Sequence, residues 1–160
     1  MSLSYREKTV WVSLLVSLIL ASYFGSQLQA LFSVGPAVDA TAVSALLLKI
    51  VIAFIVVEVV MHALLAMEEQ EGADEPEDER EATFRFRANE WGYWCLSIGV
   101  IICIINELMN KQLAEGAAIS DNPFFQSFGL APLELKLVIV FWLSEIVRFS
   151  AHLYYYRKGE

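Results

Sequence analysis

Residues on which most catalytic and metal-binding motifs depend are scarce in this sequence: it holds two histidines, two cysteines and four prolines among 160 residues. Cys95 and Cys103 are eight positions apart in one apolar segment. On a helix that is more than two turns, too far for a bridge between them. They do not form the C-x-x-C pattern of a redox or zinc site, so they read as small polarizable packing residues. There is no Gly-rich phosphate loop, no metalloprotease helix and no nucleophile beside a paired base. An enzymatic role therefore has no positive support, and no cofactor is predicted.

Charge is also thin, at 19% of residues, where a soluble domain carries about a quarter. Positive charge in particular is missing as a face. The net charge of −8 is confined to residues 68–81, where Glu68, Glu69, Glu71, Asp74, Glu75, Glu77, Asp78, Glu79 and Glu81 outnumber the single base Arg80. The rest of the chain is neutral. Without a basic surface to displace counterions from phosphates, nucleic-acid binding is not expected.

What is abundant is apolar surface. Hydrophobic residues make up 57% of the chain, gathered in four stretches near residues 10–32, 42–67, 91–109 and 133–155. Each is close to the roughly 20 residues that cross about 30 Å of hydrocarbon as a helix. Helix is the expected form, because in lipid every unpaired backbone N–H or C=O costs several kcal/mol. The basic start, Arg6 and Lys8 before the first run, resembles a signal peptide. The run extends well past an ordinary h-region and no small-residue cleavage site closes it, so it reads as an uncleaved first span.

The spans pair into two hairpins, residues 1–67 and 83–160, joined by an acidic linker at 68–82. Gly35 and Pro36 break the chain between spans one and two, and Asp39 suits the cap of the next helix. The connection from Asn110 to Pro132 is longer and carries Phe124 and Phe125 at an expected interfacial turn. Bases near span ends cluster on one side (Arg6, Lys8, Arg80, Arg85, Arg87, Arg157, Lys158), with only Lys111 on the other. The positive-inside rule then places both termini and the linker on the cytoplasmic side. Trp11, Trp91, Tyr93, Trp94 and Tyr154–Tyr156 fall at that interface. Thr83-Phe84-Arg85-Phe86-Arg87 fits either the interfacial start of a long third helix or a docking strand for a partner.

An internal duplication is the most specific signal. Leu48–Val60 aligns with Leu135–Val147 so that Lys49 matches Lys136, Phe54 matches Phe141 and Glu58 matches Glu145. A repeat of two spans keeps its orientation, so the expected fold is an all-α membrane protein whose four transmembrane helices form two duplicated hairpins in a pseudo-twofold bundle. In that arrangement Glu58 and Glu145 face each other across the axis.

Ionisable residues within spans are costly in lipid and mark either structural pairs or functional sites. Lys49 and Lys136 are near the outer span ends and are expected to snorkel to headgroups. Asn106 and Glu107 are at the outer boundary, where water is expected. Glu58 and Glu145 are deeper. His62 follows Glu58 by one turn, and Arg148 and His152 follow Glu145 at i+3 and i+7. Three readings stay open for these five residues. They form a buried ion-pair cluster that fixes helix register, a proton or cation pathway in which paired carboxylates favour a bound cation, or a metal site of Glu58, His62, Glu145 and His152. Arg148 opposes the last.

Tyr5-Arg6-Glu7-Lys8 with Trp11, and Asp78-Glu79-Arg80 with Arg87 ahead of a Tyr-bearing third span, resemble a family of short prokaryotic membrane proteins known as a domain of unknown function. In that family an Asp-Glu-Arg motif precedes the third of four spans. The resemblance implies the same architecture and no activity. The expected role is a non-enzymatic structural, regulatory or partner-binding membrane component, in contact with lipids and with a second copy or a protein partner through the acidic linker. The alternative is a small proton or cation carrier using Glu58 and Glu145.

Overall fold

A computed structural model describes residues 4–33, 40–68, 76, 78–112 and 131–159. It contains four α-helices in chain order: α1 (Tyr5–Ser33), α2 (Ala40–Glu68), α3 (Glu79–Gln112) and α4 (Leu133–Lys158). No strand occurs among the described residues. The segments that qualify as membrane spans are Tyr5–Ala30, Thr41–Met67, Glu79–Met109 and Leu133–Lys158, with 26, 27, 31 and 26 residues. Each exceeds the length needed to cross a bilayer. The four expected spans are thus present, each extended toward one or both ends by polar turns. Most of the 68–81 acidic run, the Ser33–Asp39 turn and most of the Asn110–Pro132 connection lie outside the described residues.

Local sequence sets the helix ends. Ser4 caps α1: its Oγ accepts from the Glu7 backbone N–H at 3.2 Å and its carbonyl accepts from Lys8 N–H at 3.0 Å, in the S-x-x-E pattern of a capping box. The α3 helix begins just after Asp78, whose carbonyl accepts from Ala82 N–H at 2.9 Å. Glu79 and Glu81 then sit in the first turn, where negative charge complements the helix dipole. Consequently the last residues of the expected linker are helical, and Thr83–Arg87 belong to a continuous α3 rather than to a docking strand. Gly159 ends α4 in the left-handed region at φ 70°, its N–H reaching Tyr155 O at 2.9 Å.

The tightest packing is between α3 and α4. One face of α3 carries Ala88, Gly92, Cys95, Gly99 and Cys103, and Ala88 and Cys103 are buried. Small residues at this spacing let two backbones approach in lipid. A Cβ added at Gly92 would meet Arg148 Cβ at 2.9 Å, and one at Gly99 would run into the Val140 side chain. Cys95 and Cys103 are free thiols, and Cys103 belongs to this packing face.

The α1 helix rests on α4 through Val10, Leu14, Phe149 and Leu153. Deeper in the bundle, Phe24 of α1, Leu46 and Ile50 of α2 and Trp142 of α4 form a second core. The Trp142 ring meets Phe54 at 6.4 Å and 80° and Phe24 at 6.3 Å. Val51, Ile52, Ile55, Val56, Val59 and Val60 of α2, and Ile98, Ile101, Ile102 and Ile105 of α3, point outward, which in hydrocarbon carries no penalty.

The two hairpins are packed unequally. The α3–α4 contact is far more extensive than the α1–α2 contact, α2 touches α4 only slightly, and the α1–α4 contact has no counterpart of similar extent between α2 and α3. The aligned lysines differ as well: Lys49 is exposed, whereas Lys136 is fully buried. The duplication is a property of the sequence that these contacts do not reproduce.

At one end of the bundle the start of α1, the start of α3 and the end of α4 are tied together. Arg6 Nε pairs with Glu81 at 3.3 Å, and Ser4 Oγ donates to the same carboxylate at 3.4 Å. Arg80 donates to Gly159 O at 2.8 Å, and Arg157 lies over the Trp11 ring at 5.8 Å. Phe84 packs on Tyr155 and Tyr156.

Candidate functional site

The polar interior divides into three separate groups. The first joins α1 to α2. Glu58 and His62 are one turn apart on α2, and Glu58 is about 15 Å from the end of its helix at 1.5 Å per residue. Its Oε2 accepts from Ser13 Oγ at 3.1 Å and lies 3.3 Å from His62 Nε2, while Ser13 Oγ is 3.4 Å from the same nitrogen. Three polar side chains thus close a triangle. Ser13 is buried, and Ser17, one turn further on the same face of α1, is 0% exposed. Glu58 Oε1, His62 Nδ1 and Ser17 Oγ are each buried without a hydrogen-bond partner among the described residues. A buried polar atom left this way costs about 1–3 kcal/mol.

The second group lies within α4. Arg148 grips Glu145 with two donors, Nε to Oε1 at 3.2 Å and Nη2 to Oε2. The guanidinium also covers the Phe149 ring, 4.3 Å from its centroid. This i,i+3 pair neutralises Glu145 inside its own helix, as a planar fork does for a carboxylate. Ser144, next to it, turns back to Phe141 O at 2.6 Å. His152 stacks on Tyr156 with centroids 5.0 Å apart.

Glu58 and Glu145 therefore do not form a pair: no hydrogen bond or ion pair joins them among the described residues. The reason is the unequal packing, since α2 barely reaches α4 and turns its polar face to α1 instead. The expected stripe across spans two and four separates into Glu58–His62 and Glu145–Arg148. The metal-site reading fails for the same reason, because no three His, Cys, Asp or Glu side chains among the described residues are close enough together to hold a metal ion.

The third group is at the opposite end. Lys136 is 0% exposed, donates to Asn106 Oδ1 at 2.7 Å and lies 3.6 Å from Glu107 Oε2. The expectation that this lysine snorkels to headgroups is thus corrected: two polar residues of α3 hold it between the helices. With partners supplied by protein, the ammonium has no need to reach the interface.

Sequence reasoning passed over Ser13 and Ser17. A signal was available, since two serines at i,i+4 in an apolar span share one face, and hydroxyls in spans commonly bond to a neighbouring helix.

Compared with family models, with curated proteins and with solved structures, the chain matches none.

Proposed function

We propose that this protein is a non-enzymatic, multi-pass component of the bacterial cytoplasmic membrane, with both termini inside, whose intramembrane polar residues hold the bundle in register. The observation that carries this reading is the partnering of each deep carboxylate, Glu58 by Ser13 and His62 and Glu145 by Arg148. Sidedness is supported by the bases Arg6, Lys8, Arg80, Arg85, Arg87, Arg157 and Lys158, carried by the start of α1, the start of α3 and the end of α4, which the end contacts bring together. The acidic run at residues 68–81, with its nine carboxylates, suits a basic partner or a second copy. The resemblance to four-span proteins with an Asp-Glu-Arg motif accords with this role and adds no activity.

A second reading is favoured by one observation. Among the described residues Glu58, unlike Glu145, pairs with no Lys or Arg, only with His62, and it keeps one buried oxygen unpartnered. A proton or small cation carried at this place would complete the site, making Glu58, rather than a Glu58–Glu145 pair, the working carboxylate.

Reconstitution in liposomes separates the two. On the first reading the wild type carries no proton or alkali-cation flux above empty vesicles, and Glu58→Gln lowers stability alone. A wild-type flux that Glu58→Gln abolishes without loss of stability establishes the second. Replacing the acids of residues 68–77 by Gln and Asn leaves insertion intact on both, and removes capture of the partner in mild detergent.

A further inference from the structure

Between α3 and α4, at the end where the bases gather, an open groove of about 550 Å³ is lined by Trp91 of α3 and by Ile146, Val147, Ser150, Ala151, Tyr154 and Tyr155 of α4. Its floor is made of small or aliphatic side chains and its walls are aromatic. Trp91 and Tyr154 are largely exposed, and Trp91 Nε1 donates to the Tyr155 hydroxyl at 3.1 Å, which fixes both rings along one edge. In a bilayer this trough opens to lipid at interfacial depth, the level that Trp and Tyr prefer.

Arg87 stands one helical turn before Trp91, on the same side of α3. It is exposed, and its Cζ lies 5.7 Å from the Tyr155 ring centroid. Among the described residues no carboxylate pairs with it. Glu90, the nearest acid in the sequence, is about 100° around the helix from Trp91 and so off the groove. Lys158 follows Tyr154 by one turn on α4. An apolar trough thus ends at a guanidinium that no carboxylate of the described residues neutralises.

We infer that this groove is a binding site for one phospholipid with a net negative headgroup, its phosphate on Arg87 and an acyl chain lying between Trp91 and Tyr154 over Val147 and Ala151. A guanidinium suits a phosphodiester because it can donate two parallel hydrogen bonds. Its positive charge favours an anionic over a zwitterionic headgroup. The arrangement is distinct from the Glu58 and Lys136 groups, and does not depend on the function proposed above.

The test uses the full chain in detergent, with native mass spectrometry and thermal unfolding during titration with phosphatidylglycerol, phosphatidylcholine or inorganic phosphate. Phosphatidylglycerol is expected to remain bound through detergent removal and to raise the melting temperature more than phosphatidylcholine, and phosphate alone to do neither. Arg87→Gln should lower the preference for the anionic lipid about fivefold, the effect of one basic residue at a charged surface. Ser150→Trp, which fills the trough from an exposed position, should reduce binding of both lipids while Arg87 is intact. Equal binding of the two lipids by the wild type, an unchanged preference in Arg87→Gln, undiminished binding in Ser150→Trp, or full stabilisation by inorganic phosphate each overturns the assignment. Lys49→Gln, at the far end of the bundle, serves as the control for a nonspecific loss of charge and should leave the preference intact.

Discussion

Ser13 Oγ donates to Glu58 Oε2 across the α1–α2 interface at 3.1 Å, and this bond connects two helices whose remaining contact is modest. Its partner carboxylate in the sequence repeat, Glu145, makes no such cross-helix bond and is held by Arg148 of its own helix. The same residue type in aligned positions therefore does different work: Glu58 fixes one helix against another, and Glu145 is neutralised locally.

Ser13→Ala is expected to lower stability by about 0.6 kcal/mol, the average for interhelical hydrogen bonds in membranes, and by no more than about 1.7 kcal/mol. Reversible unfolding in mixed micelles measures this. Ser22→Ala serves as the comparison, since Ser22 Oγ only returns to Leu18 O in its own helix at 2.8 Å and its loss should be close to neutral.

Arg148→Ala should be more damaging than Glu145→Gln. Removing the arginine leaves an ionised carboxylate without its counter-charge. Because these side chains keep 32% and 19% exposure, the cost should fall below the 3–5 kcal/mol of a fully buried broken pair, at about 2 kcal/mol. The double variant Glu145→Gln with Arg148→Gln should recover part of the loss; a double-mutant cycle with no coupling would contradict the pairing.

Gly99→Ala should force α3 away from α4, because the new methyl has to occupy space held by Val140. Overpacking of this kind costs about 1–3 kcal/mol. Gly25→Ala, where an added Cβ meets nothing within 4 Å, should be neutral or slightly stabilising through helix propensity. Thermal unfolding of the two variants side by side gives the comparison.

Lys49→Gln and Lys136→Gln test whether the repeat survives as symmetry. Equal effects would restore it. The unequal environments predict a change within about 0.5 kcal/mol at exposed Lys49, and a loss of about 1–3 kcal/mol at Lys136, where Asn106 and Glu107 are left without their donor. Asn106→Ala should lower stability in the same direction as Lys136→Gln.

Span number and span position were legible because a bilayer imposes one strong requirement, a run of about 20 apolar residues, and the sequence meets it four times. Which apolar face is inside was not. Val59 against lipid and Val43 against protein are equally hydrophobic, and hydropathy does not distinguish them. Packing in lipid is decided by small residues and by rare polar ones. The Ala88, Gly92, Gly99 and Cys103 face was visible in the sequence but only acquires meaning beside Val140 and Arg148. Glu58, His62, Glu145, Arg148 and His152 stand out in the sequence as ionisable residues within apolar spans, whereas the burial of Lys136 does not. Their grouping was misjudged because the repeat suggested a symmetry that would place the two glutamates together, whereas helix contacts depend on all the residues the repeat does not share.

The seating of α1 on α4 through Val10, Leu14, Phe149 and Leu153 has a consequence for biosynthesis. During synthesis α1 emerges well before α4, the helix with which it makes its larger contact. Until α4 is made, α1 has its α2 contacts and the pairing of Arg6 with Glu81 at the start of α3, but Arg157 cannot yet cover Trp11. A chain cut before Leu133 keeps α1 and α2 but lacks Phe149 and Leu153, the residues on which Val10 and Leu14 pack.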